Sequence, residues 1–283
     1  MAARSRSRGS RSRAVKARRS SKPAPAHGRI NSDNGITAEQ EAVASRVTEE
    51  CMDAFKNGLK PEGNSALQTG ARNDIRALYE IVRASLDVFD SMLAELVLDP
   101  PMDCKRGCIY CCVNQVSLTP PEALFLGFHL LETRTPQQLL ELHARARTLS
   151  ESLKGKSRQE IGMTRHLYPC LFMENGTCSI YPARPLVCRG WNSVNAQMCK
   201  HSNQSGDALA PIENHPLPRL LAASVQTGLL QGARDLGLET GFLLLTRAVL
   251  LLLEGGAEHG VMNCTTDWLE GRPFFARIST LIS

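Results

Sequence analysis

Eight of the ten cysteines in this 283-residue chain fall between residues 104 and 199. They open as Cys104, Cys108, Cys111 and Cys112 and continue as Cys170, Cys178, Cys188 and Cys199. A C-x3-C-x2-C-C run lets the backbone fold back so that three or four sulfurs converge in one coordination shell, the donor set that a soft, thiolate-preferring metal requires. Zinc, iron and an iron-sulfur cluster all fit that chemistry. Free thiols also pack as small hydrophobes, but that role gives no reason for eight of them to cluster with turn residues between.

Length argues against disulfides as the purpose of the cluster. A chain of this size with 42% hydrophobic residues can build a core without covalent staples. The first 30 residues hold no apolar stretch of the secretory kind. These features place the protein in a reducing cytoplasm, where clustered thiols serve as metal ligands or redox groups. The most apolar segment, Phe242 to Leu253, is twelve residues long and includes Thr246 and Arg247. A membrane span needs about 20 residues, so the segment reads as a buried core helix.

Charge is concentrated at the start. Residues 1 to 22 contain seven arginines, two lysines and no acid, which leaves the remainder net acidic. Residues 1–36 are rich in Arg, Ser, Ala, Pro and Gly and have little to bury, so a disordered basic tail is expected there. Such a tail suits a polyanion or nucleic acid as partner through counterion release.

Helical signals dominate the rest of the chain. Val43, Val47, Cys51 and Phe55 recur on one face of a helix beginning near Thr37, which makes Cys51 a core residue. A longer pattern runs from Asp74 to Leu98, with Asp99-Pro100-Pro101 as its stop. Val113–Leu118 alternates weakly, as a short strand would. Thr119-Pro120-Pro121-Glu122 and Thr135-Pro136-Gln137-Gln138 are helix starts, predicting helices over 120–133 and 136–154 between the two groups of four cysteines. Further helices are expected over 216–236 and 239–253, with a shorter one near the C-terminus. The fold class is mainly α, with helices surrounding an irregular cysteine-rich metal-binding segment. The organisation expected is the tail (1–36), a helical segment (37–100), the cysteine-cluster domain (101–205) and a C-terminal helical segment of the same globular unit (206–283).

In the second cysteine group, Asn175-Gly176 is a turn signal between Cys170 and Cys178. Pro182 and Pro185 keep the link to Cys188 out of a helix. Arg184 and Arg189 flank the thiolates, where guanidinium groups offset negative charge and hydrogen-bond sulfur, so both are assigned to cofactor binding. Cys104, Cys108 and Cys111 also match the triad of radical S-adenosylmethionine enzymes, but helices rather than alternating strands come after it. His201 and His166 are weaker ligand candidates than the cysteines. His129 and His143 sit on predicted helices, and Cys264 has no motif around it. No arrangement of catalytic groups stands out, so the catalytic residues are unknown.

Taken together, Cys104, Gly107, Cys108, Cys111 and Cys112, then Cys170, Gly176, Cys178, Ile180, Tyr181, Arg184, Pro185, Cys188, Arg189 and Cys199, resemble the zinc- or iron-chelating CxxCxxCC proteins, the YkgJ-like cysteine-cluster family. The resemblance covers about residues 101–202. The first gap holds three residues here rather than the commoner two. The resemblance implies a metal ion as partner and a zinc, iron or [4Fe-4S] cofactor held by the eight cysteines, with no assigned reaction. One branch looks like flagellin lysine N-methylase, which makes an S-adenosylmethionine-dependent or redox iron-sulfur enzyme the alternative. No glycine-rich strand-to-helix loop for that cofactor is present in the sequence.

Overall fold

Thr37 starts the first helix reciprocally. Its hydroxyl accepts from the Gln40 N–H at 3.2 Å, and its own N–H donates to Gln40 Oε1 at 2.9 Å. Helix α1 (Ala38–Gly58) comes next and buries Ala44, Val47, Cys51 and Phe55 on one face. The computed structural model describes residues 35–59 and 70–278, so the basic tail, apart from Gly35 and Ile36, lies outside the described residues. Helix α2 (Gly70–Glu95) buries Leu78, Val82, Leu86 and Phe89. It ends three residues earlier than its apolar pattern suggested, and Val97, beyond the end, is almost fully exposed.

Strand β1 (Ser117–Leu118) is shorter than the stretch read as extended from the sequence. Helices α3 (Pro120–Thr133) and α4 (Pro136–Ser152) begin at the two Thr-Pro signals, and both carry capping boxes. The next segment is less irregular than expected. It contains helix α5 (Arg158–Met163), the hairpin β2 (Met173–Glu174) and β3 (Thr177–Cys178), and the short helices α6 (Leu186–Gly190) and α7 (Ala196–Ser205). Helix α8 (Pro216–Asp235) then crosses the core.

The helix expected from Glu239 begins six residues later. Leu243 and Leu244 form strand β4, which pairs antiparallel with β1, and α9 (Leu245–Leu253) starts only after Leu245 N–H has bonded Val116 C=O. Glu239 is engaged elsewhere, its carboxylate accepting the N–H groups of Phe274 and Phe275. Tertiary pairing thus overrides the local helical pattern. Phe242 falls outside α9 and is half exposed rather than core. Helix α10 (Ala257–Leu269) places the fully buried Trp268 edge-on to Phe55, with ring centroids 6.2 Å apart. The protein is mainly α, and one hydrophobic core runs from α1 to the turn at Phe275.

Helices α1 and α8 run side by side in the same direction, because Thr48 bonds Ser224 C=O while Lys56 pairs with Asp235. Two glycines make the approach close. A Cβ at Gly228 would lie 2.6 Å from Thr48 C=O and from Cys51 Cβ, and one at Gly232 would lie 2.8 Å from Phe55 Cβ. Gly228→Val should therefore destabilise the protein by about 2–3 kcal/mol, since overpacking at a backbone contact is not relieved by a rotamer change. Urea unfolding measures this. An unchanged midpoint would show that the helices are not held this closely.

Candidate metal centre

The first cysteine run is a coil of tight turns. Gly107 adopts a φ of +93°, a conformation that side chains rarely take, and Cys108 N–H closes on Lys105 C=O. Cys112 N–H then bonds Ile109 C=O, and Asn114 N–H bonds Cys111 C=O.

Its leading end is fixed to the approach of α7. Asp103 N–H donates to Ser193 C=O at 2.9 Å, and its carboxylate caps the Ala196 N–H that opens α7. The Cys104 sulfur sits against Ser193, accepting its N–H at 3.2 Å. Asn203, further along α7, donates to Tyr110 C=O at 2.6 Å. Cys199 is buried in the same helix.

Its trailing end is fixed to the second cysteine group. Cys170 N–H donates to Cys112 C=O at 2.7 Å, and Gln115 donates to Tyr168 C=O at 2.8 Å. Asn175 and Gly176, with φ of 50° and 71°, make the two-residue turn that carries Cys178 back opposite Met173. Cys188 lies on α6, whose first N–H, that of Leu186, is held at 2.8 Å by the buried Glu122 of α3.

These anchors gather the predicted ligands. Cys111 lies within electrostatic reach of Cys104, Cys170, Cys178, Cys188 and Cys199; Cys108 is within reach of Cys104 and Cys199. Burial pushes the Cys104 and Cys170 thiols up to about 11 and raises Cys178, Cys188 and Cys199. The hydrogen bond to Cys112, followed by burial, raises Cys111. All ten cysteines are free thiols.

Among the described residues no three His, Cys, Asp or Glu side chains stand closely enough to hold one ion without movement. Zinc–sulfur bonds are about 2.3 Å. A metal held by these thiols would therefore require them to draw closer than they stand here.

Arg184 lies beside the cysteines. Its guanidinium stacks on the Tyr181 ring at 3.7 Å from the centroid, and its positive charge lowers the pKa values of Cys111, Cys178 and Cys188 against the burial that raises them. Its buried Nε–H has no hydrogen-bond partner. A thiolate formed beside it would supply one, so this orphaned donor and the all-sulfur set around it fit a thiolate-bound metal or cluster.

Arg189 is occupied elsewhere. It pairs with Asp90 and donates to the carbonyls of Pro182 and Arg184, which braces the loop carrying Arg184. His201 and His166 are exposed, and His143 bonds Glu254. Cys51 and Cys264 are buried, the latter beside Arg277. Sequence reasoning passed over Ser193, Asn203 and Gln115. Their contacts, Ser193 to Cys104, Asn203 to Tyr110 and Gln115 to Tyr168, span 53 to 93 residues and each involves a main-chain atom on one side, which no motif encodes.

Fold and site together define a helical protein with a cluster of free cysteines. Residues 103–205 match the family model described as CxxCxxCC, putative zinc- or iron-chelating domain. Neither the curated proteins nor the solved structures give a match to the chain. Among the described residues no helix is long and apolar enough to cross a membrane.

Proposed function

We propose that the protein is a thiolate metal-binding module in which Cys104, Cys108, Cys111, Cys112, Cys170, Cys178, Cys188 and Cys199 supply the ligands for zinc or iron. The observation that carries this reading is the bond from Cys170 N–H to Cys112 C=O, which joins two cysteine groups that α3 and α4 separate in sequence. Arg184 would offset the charge of the thiolates and donate its Nε–H to one of them. Once bound, the metal would add cross-links between segments that the metal-free chain already joins by hydrogen bonds and by core packing around Phe172 and Ile180. Ten free thiols suit a reducing compartment such as the cytoplasm.

Elemental analysis of the full chain, purified anaerobically, tests this reading. Cys178→Ser and Cys188→Ser should each lower the metal content, whereas Cys51→Ser, at a position packed in the α1 face, should not. If metal survives loss of both motif cysteines, the ligand assignment fails. Colourless protein with stoichiometric zinc identifies a zinc site, and brown protein containing iron and sulfide identifies a cluster.

A further inference from the structure

A cavity of about 630 Å3 lies outside the cysteine cluster, between the second half of α3, the first half of α4 and the corner where α9 hands over to α10. Phe128, Leu131, Leu139, Leu140, Leu253 and Met262 make its walls. Its size and apolar lining are those of a small-molecule site, in which a few placed polar groups set the orientation of the occupant. Leu140 lines it while 62% exposed, so an apolar occupant would take that surface out of water. Three ionisable side chains complete the lining, and two of them are engaged: Arg134 pairs with Glu174 at 3.1 Å, and His143 with Glu254 at 3.1 Å. Glu258 is the third. Its carboxylate is exposed and has no hydrogen bond or ion pair among the described residues. It stands in the first turn of α10, a helix without a side-chain cap, and the helix dipole there favours its ionised form. An anionic ligand drawn by the same dipole would meet Glu258 and the nearby Glu254 as like charges.

We propose that this cavity binds a small amphipathic amine, its apolar body against the six wall side chains and its ammonium group on the Glu258 carboxylate. Burial of the apolar body supplies most of the affinity, and the ion pair selects the sign of the charge. Because Glu258 stands in water, the pair contributes modestly. A preference of about two- to fivefold for an ammonium over an uncharged head group of the same chain is expected. The inference is independent of the metal-binding reading above, since it uses no cysteine.

The test titrates the full chain, as isolated, with n-octylammonium, n-octanol and n-octanoate by calorimetry. Octylammonium should bind saturably, one per chain, with octanol weaker by the factor above and octanoate weakest. Glu258→Gln should erase the preference for ammonium over alcohol and leave octanol binding unchanged. Leu140→Ser should weaken both by about fivefold. Both side chains are exposed, so neither substitution removes core packing. Methyl resonances of the wild-type chain labelled at methionine locate the ligand without any variant in the titration: the Met262 signal, assigned through Met262→Leu, should shift with octylammonium, whereas that of Met163, which does not line the cavity, should stay in place. Equal affinity for all three compounds would mean an apolar cleft without charge selection, and tightest binding of octanoate would mean an anion seat at the start of α10. Either result would overturn the proposal, as would binding without saturation or a Met262 signal that does not move.

Discussion

Glu122→Ala is expected to destabilise the metal-free protein by about 3–5 kcal/mol, comparable to breaking a buried charged pair, although no cysteine is touched. The Glu122 side chain is almost completely buried, and its two oxygens accept four hydrogen bonds. The Thr119 N–H and hydroxyl donate at 2.9 and 2.8 Å, Leu186 N–H at 2.8 Å and Gln226 Nε2 at 2.8 Å. All four partners are donors, which is the environment an acceptor-only carboxylate satisfies. Alanine leaves them without an acceptor, and it also removes the capping box of α3, worth about 1 kcal/mol. Because Leu186 opens the helix that carries Cys188, the same change should lower metal affinity. Glu122→Gln preserves the shape but turns an NH2 toward the donors, so an intermediate loss is expected. Urea unfolding with and without metal measures both effects. A loss below about 1 kcal/mol for the alanine variant would mean that the four bonds are replaced by water, contrary to the burial seen.

The same residue shows where sequence reading succeeds and where it stops. Glu122 is legible as the capping-box acid of Thr119-Pro120-Pro121-Glu122, because a cap is a local contact of fixed spacing. Its bonds to Leu186 and Gln226 cross 64 and 104 residues, and no pattern in the chain announces them. Helix starts at Thr37, Thr119 and Thr135 are readable for that local reason. The start of α9 is not, because residues 239–244 have an apolar pattern compatible with a helix and only β1 and the Phe274 turn draw them into extended structure. Helix α5 escapes notice despite its Ser157–Glu160 capping box, since only six residues come after the cap and no apolar periodicity develops. In the candidate site, spacing reveals the cysteines. Arg184 and Arg189 look equivalent as cations beside thiols, yet Asp90, 99 residues away, determines that Arg189 braces the loop while Arg184 faces the cluster.

Metal affinity should fall by a factor of about 10^3 to 10^4 for each unit of acidification around neutral pH, the dependence of a site that releases three or four protons per ion. The sign comes from the raised thiols. Cys104 and Cys170 are pushed up to about 11, and Cys111, Cys178, Cys188 and Cys199 are also raised, so the metal-free thiols are protonated at neutral pH and each ligand bond must displace a proton. Competition with a chromophoric chelator across pH 6 to 8 gives the slope, and calorimetry in buffers of different ionisation enthalpy counts the protons. Release of fewer than about one proton per ion would contradict polythiolate ligation. The metal-free fold should respond in the opposite direction. Cys51 and Cys264, buried outside the cluster, are also pushed from 9.0 up to about 11. A thiol whose pKa rises on folding contributes its full stability below the unfolded value and loses it as pH climbs to the folded one. Stability of the reduced, metal-free protein should therefore decline between pH 9 and about 11, by roughly 2–3 kcal/mol for each of these two thiols. Loading with zinc should not protect them, because neither lies in the cluster. Cys51→Ala should remove only its own share of the alkaline decline, Cys264 and the raised cluster thiols keeping the rest, while leaving the acid release of metal unchanged.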